Sequence, residues 1–167
     1  MEITYRRARP SDAAALLEYL KRVGGESDNL TFGAEGVPFS VEQEENFIKK
    51  LSESETDIML VALDGERIVG NGALSAVGRN RFAHRRELAV AVIKDYWGKG
   101  VGSGIMERLI EHAKNSGAAV VELQVLSDNE RAKALYQKFG FEYFGTFKKF
   151  FRIGERYADA DYMNLYL

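Results

Sequence analysis

The sequence predicts a single α/β domain over residues 1–167, classed α+β by some schemes, with a central mixed sheet of about seven strands and about four helices on its faces. Three observations predict it. Strand-like and helix-like segments alternate along the chain with no linker rich in Pro, Gly or Ser. Asp64-Gly65 separates two apolar strand-like runs and is the strongest hairpin signal present, which makes that pair antiparallel. An apolar strand ending near Ile93 leads through a glycine-rich turn into an amphipathic helix and another strand. A right-handed crossover of that kind makes its two strands parallel.

Taken in order, Ile3–Arg9 reads as a strand that Pro10 ends. Ser11 can cap a helix presenting Ala13, Leu16, Leu17, Leu20 and Val23 on one face, with Gly24-Gly25 as its stop. Glu26 to Phe39 is a polar loop, long enough to be functional or mobile. Ser40-Val41-Glu42-Gln43 forms a capping box at the start of a helix that turns Phe47, Ile48 and Leu51 inward. Asp57–Leu63 and Arg67–Val77 are the hairpin strands, and Phe82–Ile93 is the strand before the glycines. From about Gly102 to Ser116 a helix carries Ile105, Met106, Leu109, Ile110 and Ala113 on one face, with Gly117 after it. Ala119–Leu126 is strand-like, Asn129–Phe139 helical, and Phe141–Ile153 with Tyr157–Leu167 forms a hairpin around Gly154.

Composition narrows the function classes. Hydrophobic residues at 46% and charged residues at 29% are ordinary for a globular chain. A net charge of −2 gives no overall reason to expect nucleic acid or an anionic membrane. Without cysteine there is no disulfide, thiolate ligand or cysteine nucleophile, and two histidines argue against a metal site. No apolar run reaches the length of a membrane span and the N-terminus has no signal-peptide core, so the cytoplasm is the expected location.

The chemistry concentrates at Trp97-Gly98-Lys99-Gly100-Val101-Gly102-Ser103-Gly104. Glycines between a strand and a helix let the backbone approach a ligand, while the helix start offers free N–H groups and a positive dipole end. A phosphorylated ligand is implied. The triphosphate loop is excluded because Lys99 is followed by Gly100 and not by a hydroxyl residue. The dinucleotide fingerprint fails because Val101, Ser103 and Ile105 stand where its third glycine belongs. What remains resembles the pyrophosphate loop of the GNAT superfamily of N-acetyltransferases, Gln/Arg-x-x-Gly-x-Gly/Ala, with Trp97 in place of the Gln or Arg. A second block, from Asn129-Glu130-Arg131-Ala132 through Tyr136 to Gly140-Phe141, is similar to that superfamily's Asn-x-x-Ala-x-x-x-Tyr-x-x-x-Gly-Phe.

The resemblance implies acetyl-CoA as cosubstrate and no metal. It implies that the strands on either side of the crossover splay apart, so that pantetheine amides pair with strand backbone left without a partner. Val90, Ala91 and Val92 would supply those contacts, with Lys94 and the amides of Lys99, Gly100, Val101, Gly102, Ser103 and Gly104 toward the diphosphate. Asn129 would cap its helix and contact the cofactor. Tyr136 matches the residue that reprotonates the departing thiolate, a transfer from pKa about 10 to about 8.5 that costs about 2 kcal/mol. Its other reading is a core tyrosine on the face of Ala132, Leu135 and Phe139.

Glu87 resembles the catalytic glutamate of the histone-modifying branch. Alternation puts it on one face with Ala89 and Ala91, leaving room for a substrate. Direct deprotonation of a lysine-type amine by an ordinary carboxylate costs about 8 kcal/mol. Glu87 is therefore a base through water, an ammonium anchor, or simply a solvated residue beside Arg85 and Arg86. His84 and His112 read as surface, and Arg79, Arg81, Arg85 and Arg86 as a solvated basic segment. Glu26 and Asp28 resemble an acceptor loop that binds an ammonium, or are ordinary loop acids. The C-terminal aromatics read as core or dimer surface, with some walling an acceptor pocket.

The function expected is acetyl transfer from acetyl-CoA to a primary amine of a small molecule, such as an amino acid or polyamine, by direct attack in a ternary complex. The alternatives are a protein or peptide N-terminal acetyltransferase, with an open groove beside Glu87, and a non-catalytic acyl-CoA-binding module. A homodimer is the family habit; no nucleic-acid or membrane partner is expected.

Overall fold

A computed structural model describes residues 1–167. The strands are β1 (Ile3–Arg7), β2 (Ile58–Asp64), β3 (Arg67–Ala76), β4 (Arg85–Val92), β5 (Val120–Leu126), β6 (Glu142–Ile153) and β7 (Arg156–Tyr166). The helices are α1 (Ala13–Glu26), α2 (Val41–Ser52), α3 (Val101–Asn115) and α4 (Glu130–Lys138). All seven strands join one sheet in the order β1-β2-β3-β4-β5-β7-β6. Only β4 and β5 run parallel, as their crossover through α3 requires.

The sheet core is covered on both faces where it matters for stability. Gly70 and Gly72 of β3 let α3 approach closely: a Cβ at Gly72 would stand 2.3 Å from Ile105 Cγ2. That contact buries Ile105, Met106, Leu109 and Ala113 against Leu74 and Leu88. On the opposite face α1 supplies Leu16, Tyr19 and Val23, and α2 supplies Ile48. No helix is long and apolar enough to cross a membrane.

Local signals decided several elements as expected. Ser40 Oγ accepts from Gln43 N at 3.1 Å while Gln43 Oε1 accepts from Ser40 N at 2.9 Å, which completes the capping box. Gly65, at φ +60°, turns β2 into β3.

Other elements differ, each for a tertiary reason. β1 ends at Arg7, Arg6 makes a two-pronged ion pair with Asp12, 2.7 and 2.8 Å, and a 3₁₀ turn over Pro10–Asp12 leads into α1. Asp12, not Ser11, therefore stands at the cap position. Gly24-Gly25 does not end α1. A Cβ at Gly24 would lie 2.1 Å from the carbonyl oxygen of Gly33, so the glycine is there for the loop that packs across the helix. Phe47 is exposed and tilts against Phe39, while Glu44 takes an inward position and burial raises its carboxyl pKa. Residues 80–82 form a 3₁₀ turn, so β4 begins at Arg85.

The basic segment is not simply solvated. Arg86 is buried, giving hydrogen bonds to the carbonyls of Ala83, Arg85 and Ser116, the last at the C-terminus of α3. Arg85 makes a bidentate pair with Glu122 across the β4–β5 boundary, both bonds 2.8 Å. His112 is half-buried, with Nε2 3.1 Å from the Thr56 carbonyl, and desolvation lowers its pKa.

Candidate active site

β4 and β5 pair only at Arg85↔Val120, Arg86↔Val121 and Glu87↔Glu122, then diverge while both strands continue. The Arg85–Glu122 pair lies at the closed end of this fork. Ile93 N–H donates to Val69, which fixes the phase of the β3–β4 ladder. Odd-numbered residues of β4 bond to β3, and Val90 and Val92 turn their backbone groups into the fork. Ala91 is therefore not free: its backbone belongs to the β3 ladder, and its carbonyl also accepts from the Tyr19 hydroxyl at 2.8 Å. Val92 C=O accepts from Trp97 Nε1 at 2.7 Å, leaving Val90 with both backbone groups toward the gap.

A 3₁₀ turn over Lys94–Tyr96 follows β4, and Gly98 and Gly100 then take φ +72° and +82° before α3 begins. A Cβ at either would touch no protein atom and would occupy the space above the loop. Gly102 and Gly104 do not have positive φ; they are small for packing, against Leu135 and Tyr5 respectively. The first α3 bond runs from Gly104 N–H to Gly100 C=O, 3.0 Å. Val101, Gly102 and Ser103 consequently keep three amides without helical partners. No side-chain cap on α3 satisfies them either, so they are free to donate outward.

The fork and the glycine turn open into one cavity of about 410 Å³. Its walls include Val90, Ala91, Val92, Gly100, Val101, Gly102, Ser103, Asn129 and Tyr136. Asn129 caps α4 by accepting from Ala132 N at 3.2 Å. Tyr136 is buried, and burial alone pushes its phenol up to about 12. Its hydroxyl is not fixed by any protein partner, and its ring packs on Phe141 at 5.9 Å.

The remaining sequence-predicted residues lie off this wall. Lys94 uses its N–H on Glu26 Oε2, 2.6 Å, and Glu26 also pairs with Arg22, so Glu26 holds the turn after β4 and does not face the cavity. Asp28 pairs with Arg156 at the tip of the β6–β7 hairpin, 3.1 Å. Lys99 lies over the ring of Tyr96, whose hydroxyl donates to Asp64. Gly104 has spent its N–H inside the helix. Glu87 is exposed at the fork, with Gln124 Nε2 3.4 Å from its Oε2. No group of three or more His, Cys, Asp or Glu side chains is arranged to hold a metal.

Sequence reasoning missed Arg131, and within the 26–39 loop it picked the acids Glu26 and Asp28 where Ser27, Asn29 and Leu30 line the cavity. Arg131 stacks over the Trp97 ring, 4.9 Å to its centroid, and both line the cavity with Ser27, Asn29 and Leu30.

The model of the acetyltransferase (GNAT) family matches residues 26–141, which contain the fork, the glycine turn and α4. The chain belongs to the GNAT family. It is 33% identical over 106 residues to the L-amino acid N-acetyltransferase AaaT of Escherichia coli, covering 63% of this chain and 65% of that protein. It is 31% identical over 99 residues to the N-alpha-acetyltransferase RimI of Mycobacterium tuberculosis, covering 59% and 60%. The matched segment thus spans less than two thirds of the length of either curated relative. A GNAT-family acetyltransferase from Streptococcus pneumoniae superimposes with a TM-score of 0.96 at 33% identity, covering 99% of this chain and 100% of that one. YncA of Salmonella typhimurium, solved with its cofactor acetyl-CoA, has the same fold, with TM-score 0.86 at 20% identity over 99% and 94% of the two chains. In this GNAT chain, Trp97 fills the place of the family's Gln or Arg and closes the loop with its indole N–H.

Proposed function

We propose that this chain transfers an acetyl group from acetyl-CoA to the primary amine of a small molecule. The observation that carries the reading is the fork itself: the free backbone of Val90, the three free amides of α3 and the unpartnered Tyr136 hydroxyl border one cavity. Those features fit the cofactor. Val90 would pair with pantetheine amides, Val101, Gly102 and Ser103 would hold the diphosphate, and Asn129 and Arg131 lie beside the same channel. Acetyl-CoA supplies a thioester carbonyl open to attack and a thiolate leaving group. Tyr136, buried and fully protonated at neutral pH, donates its proton where that thiolate develops. Glu87, at the fork, anchors the incoming ammonium or relays its proton through water.

The small-molecule acceptor is favoured by the Asp28–Arg156 pair, which bridges the 26–39 loop and the β6–β7 hairpin and narrows the groove that a polypeptide would need. Similarity to AaaT, an L-amino acid N-acetyltransferase, points the same way. Similarity to RimI, an N-alpha-acetyltransferase, keeps a peptide acceptor as the second reading. The test is thiol release from acetyl-CoA over amino acids, polyamines and short peptides, with acetyl-CoA binding measured on the same preparation. Turnover on free amines supports the proposal. Turnover on peptides alone replaces it with the second reading, and binding without turnover on either reduces the chain to a CoA-binding module.

A further inference from the structure

Lys149 of β6 has φ +57°, a left-handed conformation that a residue with a Cβ rarely adopts. It is held there. Its N–H donates to Asp159 Oδ1 at 2.8 Å, its ammonium lies 5.4 Å from the Tyr157 ring centroid, and the β6–β7 register slips between Phe147 and Phe151. A bulge of this kind redirects side chains, and such strain persists only when the surroundings enforce it. Here it brings Phe150 edge-on to Tyr162, with centroids 6.2 Å apart, and against Phe147 at 5.4 Å.

Tyr162 pairs directly with Gln124 of β5, and the Gln124 amide reaches Glu87. Alternation places Glu87, Gln124 and Tyr162 on the same sheet face. Next to Glu87 toward β3 that face carries small side chains, Ala89 and its partner Ala73, with Ser75 opposite Glu87; Asn71 follows opposite Ala91. Glu122 is neutralised by Arg85, whereas Glu87 has no ion pair. An unpaired carboxylate thus lies two strands from an aromatic wall, roughly 10 Å between backbones, at the apex where β4 and β5 part.

Resting on the acetyltransferase reading above, we infer that the acceptor is a primary amine bearing an aromatic ring, with Glu87 taking its ammonium and Tyr162, backed by Phe150, taking the ring. Phe150 is then a specificity-determining residue set by the bulge at Lys149. Polyamines gain only from Glu87. Arg85 and Arg156, the arginines of this floor, are both committed to carboxylates and so are not free to take an acidic amine.

The test compares phenylethylamine with ethylamine, first as ligands of the CoA-loaded protein by calorimetry and then as substrates by thiol release. Phenylethylamine is expected to bind at least tenfold tighter, and Phe150→Ala and Tyr162→Leu are each expected to cut that preference several-fold while affinity for acetyl-CoA stays unchanged. Equal binding of the two amines, or a preference that survives both substitutions, overturns the aromatic subsite. Selective binding without thiol release upholds the subsite and overturns only the transferase reading.

Discussion

Trp97 Nε1 donates to the carbonyl oxygen of Val92 at 2.7 Å, so a side chain at the start of the glycine turn ties off the last carbonyl of β4. The same indole carries the Arg131 guanidinium on its face, which links the turn to α4. A substitution that departs from the family pattern has therefore kept a donor at the position where the family's Gln or Arg stands.

The first prediction separates these two functions of Trp97. Trp97→Phe keeps a ring for Arg131 but removes the donor, leaving the Val92 carbonyl short of a partner. The expected cost is about 1 kcal/mol of stability and a several-fold weaker affinity for acetyl-CoA. Denaturant melts and cofactor titration check both, and an unchanged affinity would remove the indole bond from the site.

Tyr136 is expected to behave as a proton donor whose own titration stays out of the working range. With the phenol pushed up to about 12, transfer to a thiolate of ordinary pKa is uphill by about 5 kcal/mol, more than an exposed tyrosine would face. Burial of the thiolate in the same cleft raises its pKa too and reduces the difference. Tyr136→Phe should lower kcat by roughly 10²-fold with acetyl-CoA affinity within about twofold. In the wild type, kcat/KM should rise with pH along the titration of the acceptor amine. No fall attributable to Tyr136 should appear below about pH 11, because the phenol keeps its proton until pH nears about 12. A limb that stays fixed when acceptors of different amine pKa are exchanged would contradict this assignment.

Gly24 offers a case where helix propensity and packing oppose each other. Alanine gains about 1 kcal/mol in a helix interior over glycine, but its Cβ would lie 2.1 Å from the Gly33 carbonyl oxygen and 2.8 Å from Phe32 Cδ2. A backbone atom cannot rotate away, so the clash wins. Gly24→Ala is expected to lower stability by about 1–3 kcal/mol and to raise KM for the amine through displacement of the loop that starts at Ser27. Stabilisation of the variant would show that the loop does not pack as described.

What was legible in the sequence was local or periodic. Ser40 and Gln43 announce a helix start through side chains three residues apart, and Gly65 announces a turn; both work the same way in any fold. The parallel pair followed from the strand–helix–strand connection through α3. What was not legible depended on distant partners: Gly24-Gly25 reads as a stop until Gly33 is known to lie on it, and Arg86 reads as solvated until Ser116 is brought to it by α3. At the site, the glycine turn and the Asn129–Tyr136 block stood out because each is a spaced pattern of residues, and the structure brings both to one cavity. Glu26 misled because an acid in a loop carries no sign of whether it faces a substrate or, as here, the Lys94 amide.

The last prediction concerns α4, which carries Asn129, Arg131 and Tyr136. Asp161 of β7 accepts from Ser127 Oγ at 2.7 Å and Thr146 Oγ1 at 2.8 Å, and it pairs with Lys133 Nζ at 3.0 Å. Burial opposes ionisation of this carboxyl, but these hydrogen bonds together outweigh it and hold the pKa below the usual aspartate range. The folded state thus binds its proton less readily than the unfolded chain. Stability from Asp161 is complete above the unfolded value of about 3.9 and is lost as pH falls through the lower folded value. Asp161→Asn keeps the shape and removes the charge, so it should cost about 1.5–3 kcal/mol at pH 7. That difference should shrink as pH falls below the unfolded value of about 3.9 and vanish only once the folded carboxyl also takes up its proton. Urea melts of both proteins at pH 7 and near pH 3 measure it, and a difference that does not change with pH would mean that the ion pair with Lys133 does not hold α4 in place.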